Sequence, residues 1–421
     1  MQILLKSATI VSEHSPFNGQ QKDVLIDNGV IASISDNIAP GNAQVISGNG
    51  LHVSGGWMDV FAHFCDPGQE YKEDLQSGAL AAAAGGYTAV MIVPNTQPAL
   101  HTKTQIAYVQ NQAPHNVAEI LPIGAITKNL EGASLAEMYE MKDAGAVAFS
   151  DGLKPVQSSG LLLKALQYVK AFNGAVIQIP DDASISAHGL MHEGIHSTRL
   201  GMPGKPAIAE EIMLKRDLDL LEYTNSRLHV TGVSTRGSIQ LIADAKARGL
   251  QVTCSVTPYH LLFTDADLAS YDSFLKVNPP LRTQDDVDAL RAAVADGTVD
   301  CIASHHQPQD WDAKQVEFEY AKYGMIGLET AFAALRAALP DLEPAKLARL
   351  LSDNPRSIFG QPAITIKEGA VANLTVFEPN TEYTLSDDRF QSKSRNTPFL
   401  GKPAKGSVTG IIRQNKSWFR S

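Results

Sequence analysis

Several side chains that can hold a metal ion or move a proton stand at the ends of short apolar runs in the sequence. His63 and Cys65 close one such run, Asp151 closes another, and His305 and His306 close a third. Imidazole, thiolate and carboxylate groups are the usual protein ligands of zinc, and His and Asp are also common catalytic acids and bases. The pattern therefore indicates a site of metal or acid–base chemistry built where strands end.

Eight apolar runs, separated by amphipathic stretches, would position these residues. The predicted strands are 56–63, 88–94, 120–126, 146–150, 175–179, 228–233, 251–256 and 299–304, and the predicted helices between them include 135–144, 161–172, 208–224, 238–248 and 284–295. Near-continuous apolar strands alternating with helices predict a parallel sheet. Eight such units predict a (β/α)8 barrel of the TIM type, with its site at the carboxyl ends of the strands. An open, doubly wound sheet is the rival, but no Gly-x-Gly-x-x-Gly follows the first strand.

The two ends of the chain have a different pattern from the middle. Short β-like runs separated by Gly, Asn and Pro occur at 23–26 and 30–34, and again at 372–377 and 410–413. We therefore predict that residues 1–50 and 363–421 form one composite β domain. Residues 51–362 form the barrel.

The bulk composition excludes several classes of protein. Of 421 residues, 44% are hydrophobic and 19% are charged, as in an ordinary globular chain. The net charge of −10 includes no basic block, so we expect no nucleic-acid partner. No apolar run approaches the ~20 residues that span a bilayer, and the opening residues turn polar too soon for a secretory signal. Three scattered cysteines, Cys65, Cys254 and Cys301, predict no disulfide framework and fit a cytoplasmic protein.

Five motifs resemble those of one enzyme family in their order and spacing. They are Pro94-Asn-Thr, Asn278-Pro-Pro-Leu-Arg282, Gly327-Leu-Glu-Thr330, Asp353-Asn-Pro and Asn396-Thr-Pro-Phe-Leu-Gly401. On these motifs the chain resembles a dihydroorotase of the amidohydrolase superfamily over nearly its whole length. The resemblance implies a distorted (β/α)8 barrel with a composite β domain from both termini.

The resemblance also implies a zinc site. Such enzymes hold one or two zinc ions with a His-x-His pair on the first strand, a carboxylate or modified lysine on the fourth, and one His on each of the fifth and sixth. An Asp on the eighth strand moves the proton. Zinc is needed because its bound water ionises near ~7, whereas bulk water has a pKa of ~15.7.

This sequence departs from the family at most of these positions. Phe61 replaces the first His of the pair, Gln178 and Gly232 replace the His residues of the fifth and sixth strands, and His305 replaces the Asp. His63 and Asp151 are retained. Phe and Gly have no ligating side chain, Gln is a poor zinc partner, and a His cannot act as the ionised carboxylate did.

The positions that bind substrate in the family are also altered. Cys65 stands where the family has an Arg that clamps the substrate carboxylate, and a thiol cannot supply that two-pronged donor. Gln309 replaces a His that helps to bind substrate. Asn95 and Asn278 survive as remnants of the substrate site.

The retained residues allow two interpretations. His63 and Asp151 could form a weak residual metal site with His305, or with Cys65 as a substitute ligand. We favour a hydrogen-bonded remnant, because a stable zinc site usually needs three or four protein ligands. Another spacing, His188, His192 and His196, would make a zinc-binding face on a helix. Gly189 and Gly194 weaken that helix, so we predict a solvated loop there.

Three functions remain open from the sequence. The first is a non-catalytic dihydroorotase homologue that binds no zinc and acts as a structural or regulatory partner of the catalytic chain of aspartate transcarbamoylase. Such homologues occur in some bacteria, and an oligomer is expected. The second is an active cyclic amidohydrolase with a rearranged metal site. The third is a metal-free binder of a small ureide, which Asn95 supports and the missing Arg opposes.

Overall fold

A parallel barrel and a mixed β-sheet make up the computed structural model, which describes residues 1–112 and 115–420. The strands are β1 (Gln2–Val11), β2 (Gln21–Asp27), β3 (Val30–Ser35), β4 (Gln44–Ile46), β5 (His52–Gly55), β6 (Trp57–Ala62), β7 (Tyr87–Ile92), β8 (Glu119–Gly124), β9 (Ala148–Phe149), β10 (Val176–Gln178), β11 (Met191–His192), β12 (Gly204–Lys205), β13 (Leu228–Val230), β14 (Val252–Val256), β15 (Cys301–Ile302), β16 (Asn373–Thr384), β17 (Pro403–Arg413) and β18 (Lys416–Phe419).

Helices connect most of the barrel strands. They are α1 (Leu75–Ala84), α2 (Lys103–Gln112), α3 (Met138–Asp143), α4 (Ser159–Lys170), α5 (Ala183–Ser186), α6 (Ile195–Leu200), α7 (Ile208–Thr224), α8 (Arg236–Ala247), α9 (Gln284–Asp296), α10 (Trp311–Lys314), α11 (Ala331–Ala338), α12 (Pro344–Ala348) and α13 (Asn354–Ile358). Single 3-10 turns lie at Lys128–Leu130, Asp265–Ser270, Ser273–Leu275 and Asp387–Arg389, and a π-helical turn, Arg349–Asp353, joins α12 to α13. Among these described helices, none is both long and apolar enough to cross a membrane.

The predicted (β/α)8 barrel is confirmed. Its strands lie in the order β15-β14-β13-β10-β9-β8-β7-β6, and every neighbouring pair is parallel. Each of the eight predicted strands is present, although several are shorter than the apolar runs that predicted them. All residues of β6 and β7 are buried, as expected of strands covered on both faces.

Side-chain and backbone bonds join β6, the first barrel strand, to the residues that follow β15, the last. The buried carboxylate of Asp59 accepts hydrogen bonds from the Ser304 backbone N–H (2.6 Å) and hydroxyl (2.8 Å). Farther along, the His63 N–H donates to the His306 carbonyl at 2.8 Å, beside a parallel bridge between Ala62 and His306. These bonds bring residues 61–65 against residues 304–306, which positions the candidate site.

The two termini share one sheet, ordered β18-β17-β16-β5-β1-β2-β3, with β4 paired to β1. The junction is β5, which pairs in parallel with β1 and antiparallel with β16. The sheet buries its own apolar cluster, to which both ends contribute: Ile3, Leu5, Ile10, Val24 and Ile26 from one, and Leu374, Val376 and Ile412 from the other. Where sheet meets barrel, the Trp57 ring packs against Phe332 and Phe377 at centroid distances of 5.1 and 5.3 Å.

Candidate functional site

The residues that the sequence singled out lie at the carboxyl ends of the barrel strands. Phe61 lies in β6 and His63 follows it, Gln178 ends β10, Gly232 follows β13, and His305 follows β15. The side chains of the four non-glycine residues are all buried. The structure therefore brings these positions to one end of the barrel, where their side chains are buried.

An aromatic contact occupies the centre of this cluster. The Phe61 ring stacks on the His305 imidazole, with a centroid distance of 4.5 Å and an interplanar angle of 30°. Gly232 makes room for that imidazole: a Cβ at Gly232 would lie 2.7 Å from His305 Cε1. Gly232 also has a φ of +68°, which is in the left-handed region that favours glycine. The three replacements thus fit one another as a single packing unit.

A chain of buried hydrogen bonds fixes the His305 ring. His229 Nε2 lies 3.1 Å from Ser255 Oγ, Ser255 donates to Thr231 Oγ1 at 2.8 Å, and Thr231 Oγ1 lies 2.8 Å from His305 Nε2. The Thr231 hydroxyl thus joins Ser255 to His305, so His305 Nε2 has a protein partner. Burial lowers the pKa of His305 to about 3 and that of His229 to about 3, so both rings are neutral.

Both nitrogens of His63 are engaged. Its Nε2 lies 3.0 Å from the Asn95 carbonyl and its Nδ1 lies 3.4 Å from Cys65 Sγ. A carbonyl can only accept, so the proton is on Nε2, and Nδ1 accepts from the thiol. Burial lowers the pKa of His63 to about 4 and raises that of the Cys65 thiol to about 12. Cys65 is therefore a protonated thiol that donates to His63 in this structure.

The retained carboxylate and amide fasten neighbouring loops. Asp151 accepts from the backbone N–H groups of Ile126 and Thr127, each at 2.9 Å, and from the Thr127 hydroxyl. Burial nevertheless raises its pKa. The Asn95 side chain donates to the Asp151 carbonyl at 3.1 Å and accepts from the Leu153 N–H at 2.9 Å. His63 and Asp151 are thus linked through Asn95 and do not share a hydrogen bond.

Gln178 is held by weak contacts at both ends of its amide. Its oxygen accepts from the Val156 N–H at 3.3 Å, and its nitrogen donates to Asp217 at 3.4 Å. Asp217 is itself paired with Arg216 at 2.6 Å. The side chain that replaces a family His therefore bridges to helix α7.

These side chains do not fit the family's zinc. Phe61 and Gly232 offer no ligating atom, both nitrogens of His63 have partners, and Nε2 of His305 is taken by Thr231. Within residues 1–112 and 115–420, no three His, Cys, Asp or Glu side chains are grouped so as to hold a metal ion. The arrangement is that of a hydrogen-bonded core.

The altered position Gln309 and the retained Asn278 both make protein contacts. Gln309 donates to the Tyr323 carbonyl at 2.8 Å and accepts from Lys72 at 3.1 Å. Asn278 accepts from Lys205 at 2.8 Å, and Lys205 also pairs with Asp181 at 2.7 Å. Asn278 and Gln309 thus connect neighbouring loops through hydrogen bonds.

The predicted solvated loop around three histidines is partly wrong. His192 is buried in β11, which pairs with β12, and its Nδ1 accepts from Arg282 at 3.1 Å. His188 lies in a turn and His196 lies in α6, so the three do not share one helix face. Histidine spacing alone could not reveal this, because the Arg282 partner is 90 residues away in sequence.

Sequence reasoning missed a buried ion pair beside this segment. Arg282 lies 3.4 Å from Glu210, and both side chains are almost completely buried. Glu210 also accepts from the Ser234 N–H at 2.9 Å, and Arg282 donates to the Ser234 hydroxyl at 3.0 Å. The sequence signal for this ion pair was the Arg at the end of Asn278-Pro-Pro-Leu-Arg282. Its partner on α7, Glu210, could not be predicted from the sequence.

The packing unit around Gly232 can be tested by a double-mutant cycle. Gly232→Ala should destabilise the fold by about 2–4 kcal/mol, from left-handed strain of ~1–2 kcal/mol and the clash with His305. In a His305→Ala background the clash is gone, so the same change should cost only about 1–2 kcal/mol. Urea unfolding of the four proteins measures the coupling.

Gly19→Ala is a matched control, since Gly19 also has a positive φ (+75°) but a Cβ added there would have no neighbouring atom within 4 Å. It should show the backbone strain alone. An equal cost of Gly232→Ala in both backgrounds, matching that of Gly19→Ala, would contradict the packing unit.

Comparison with known proteins places this site in a family context. A family profile described as "Dihydro-orotase-like" matches residues 51–238. A protein named dihydroorotase from Pelotomaculum thermopropionicum is 42% identical over 96% of this chain and 96% of its own length. Another from Syntrophus aciditrophicus is 38% identical over 99% of both chains.

Solved structures agree on the fold. The L-hydantoinase (dihydropyrimidinase) from Arthrobacter aurescens superimposes with a TM-score of 0.85, covering 99% of this chain and 95% of its own, at 23% identity. At 23% identity, this similarity supports the shared fold alone. The full-length identity of about 40% to relatives named dihydroorotase decides the family, and this chain belongs to the dihydroorotase family.

Proposed function

We propose that this protein is a non-catalytic member of the dihydroorotase family that serves pyrimidine biosynthesis as a structural or regulatory partner of aspartate transcarbamoylase. The proposal that the protein is non-catalytic rests on the stack of Phe61 on His305 in the space left by Gly232. Three positions that would hold or serve zinc in the family are filled by this packing.

The remaining groups support the same conclusion. Hydrolysis of a cyclic amide needs an ionised nucleophile and a group that transfers its proton. His305 stands in the position of the proton-transferring Asp, but burial holds its pKa at about 3 and its Nε2 is bonded to Thr231. The carboxylate clamp is replaced by Cys65, whose thiol is buried and protonated.

The alternative, an active cyclic amidohydrolase with a rearranged metal site, rests on the relatives' printed name. It needs new ligands near the old ones, and Cys65 and His305 are the available candidates. Cys65 donates to His63, and His305 is fixed between Thr231 and Phe61. A metal-free ureide binder would use the Asn95 amide, which already bonds Asp151 and Leu153. We therefore prefer the non-catalytic proposal.

The partner is proposed from family resemblance, together with the retention of the fold. The barrel closure, the composite sheet and the loop at Asn396 are intact, with Asn396 donating to the carbonyls of Gln307 (2.9 Å) and Gly324 (3.1 Å). Folded domains have small stability margins and most substitutions destabilise them. An intact fold without metal chemistry suggests that the protein functions through its surface, as a binding partner. A lasting complex would bury about 1,000 Å² or more per interface, in a closed symmetric assembly.

Metal content is the first test of this proposal. The purified, tag-free protein should contain far less than one equivalent of zinc by elemental analysis, because no complete ligand set is present in the described part of the chain. The Pelotomaculum relative, purified in parallel, controls for metal loss during preparation. One or more equivalents of zinc in this protein, lost in a His63→Ala variant, would refute the proposal and locate a residual site.

Association is the second test. This chain and the aspartate transcarbamoylase catalytic chain of the same cell should co-elute as one complex whose mass in solution corresponds to a closed assembly. Bovine serum albumin in place of the transcarbamoylase controls for nonspecific association. A transcarbamoylase that is fully assembled and active alone, and that never co-elutes with this chain at micromolar concentrations, would exclude the partnership.

A further inference from the structure

A cavity of about 290 Å³ lies at the end of the barrel where the strands begin, opposite the strand ends described above. Phe149 belongs to β9, Phe172 follows α4, Arg227 directly precedes β13, and Phe359 follows α13. The cavity shares no lining residue with the degenerate positions. It is therefore a separate feature, independent of the lost zinc chemistry.

Aromatic rings form one side of this cavity. Phe172 and Phe149 meet edge to face with centroids 5.7 Å apart. The Tyr168 and Tyr139 rings also pack against Phe172, at centroid distances of 6.3 and 5.9 Å. The Phe359 ring is held against His229 at 5.2 Å. Phe149 and Phe359 are almost completely buried, so Phe172 is the ring open to a ligand. A ring held by its neighbours favours a flat apolar group, because little side-chain entropy is lost when the ligand binds.

Two cations, Lys142 and Arg227, complete the lining. Arg227 donates to the backbone carbonyls of Asn173 and Ile358, which carry no net charge, and the Lys142 ammonium lies 5.9 Å from the centre of the Phe172 ring. In the described part of the chain neither cation forms an ion pair with a carboxylate. The lining residues include no Asp or Glu. In a protein of net charge −10, these two cations therefore have no carboxylate within ion-pair distance in the described part of the chain.

We propose that the cavity binds a small phosphate monoester that carries a planar ring. The phosphate would accept from Arg227 and Lys142, and the ring would lie against Phe172. A phosphate monoester has a charge of about −1.5 to −2 at neutral pH, which matches two cations, and the planar guanidinium suits a phosphate oxygen pair. The volume is near the lower end of the ~300–1,000 Å³ typical of ligand pockets, so the ligand has one ring and is not a dinucleotide.

This site goes beyond the proposed function and does not depend on it. It lies on the face of the barrel that the family's chemistry does not use, since catalytic residues of such barrels come from the carboxyl ends of the strands. A protein that proved to be an active hydrolase could still bind a phosphate ester here. The two proposals can therefore fail separately.

Calorimetric titration of the full chain with phenyl phosphate tests the site. One equivalent should bind, and Arg227→Gln and Lys142→Gln should each weaken binding by about tenfold or more, since each removes a charge that faces the phosphate. Lys142 is exposed, so its variant should keep the fold even if Arg227→Gln loosens the end of α13. Arg248→Gln, which alters an exposed pair with Glu222, is the matched control and should bind as the parent does.

Three results would overturn the proposal. The first is no saturable binding of phenyl phosphate up to about 10 mM. The second is equal affinity in the parent, Arg227→Gln and Lys142→Gln proteins. The third is equal affinity for inorganic phosphate or for phenol, because either would mean that the ring and the phosphate do not act together.

Discussion

The packing of side chains at the barrel strand ends depends on one contact, the stack of the Phe61 ring on the His305 imidazole. It fits because Gly232 has no side chain, and it lies where the strand ends of the barrel meet. Replacing one member by the family residue would not rebuild the old site. A side chain at position 232 meets the His305 ring, and loss of the Phe61 ring would leave a void beside a buried imidazole. Close-packed interiors couple neighbouring substitutions in this way.

The polar residues around that stack have protein hydrogen-bond partners. His63 bonds the Asn95 carbonyl, and the Asn95 side chain bonds the Asp151 carbonyl. His305 ends a hydrogen-bonded chain that starts at His229. Buried polar groups must find partners, because each unpaired one costs about 1–3 kcal/mol. Barrel closure rests on the Asp59–Ser304 bonds and on the backbone bond from His63 to the His306 carbonyl, which join the first and last strands.

The sequence predicted the architecture well because strand and helix periodicities are local signals. The eight strands appear in the predicted order, and the helix predicted at 208–224 has the observed bounds Ile208–Thr224. The family resemblance predicted replacements at 61, 178, 232 and 305, but it could not predict the contacts that these residues make. The fit of Gly232 to His305, the thiol on His63 and the burial of His192 under Arg282 are tertiary contacts, most of them between residues distant in sequence, so local patterns do not encode them.

The central claim is that repacking of the strand ends has removed hydrolysis of the cyclic amide. It is tested most directly by measuring dihydroorotate turnover of the pure protein in the presence of added zinc, beside the Pelotomaculum relative. We predict no turnover above the buffer rate for this protein, under conditions in which the relative is active. Turnover that depends on zinc and is abolished by His305→Ala would contradict the claim and establish a rearranged catalytic site.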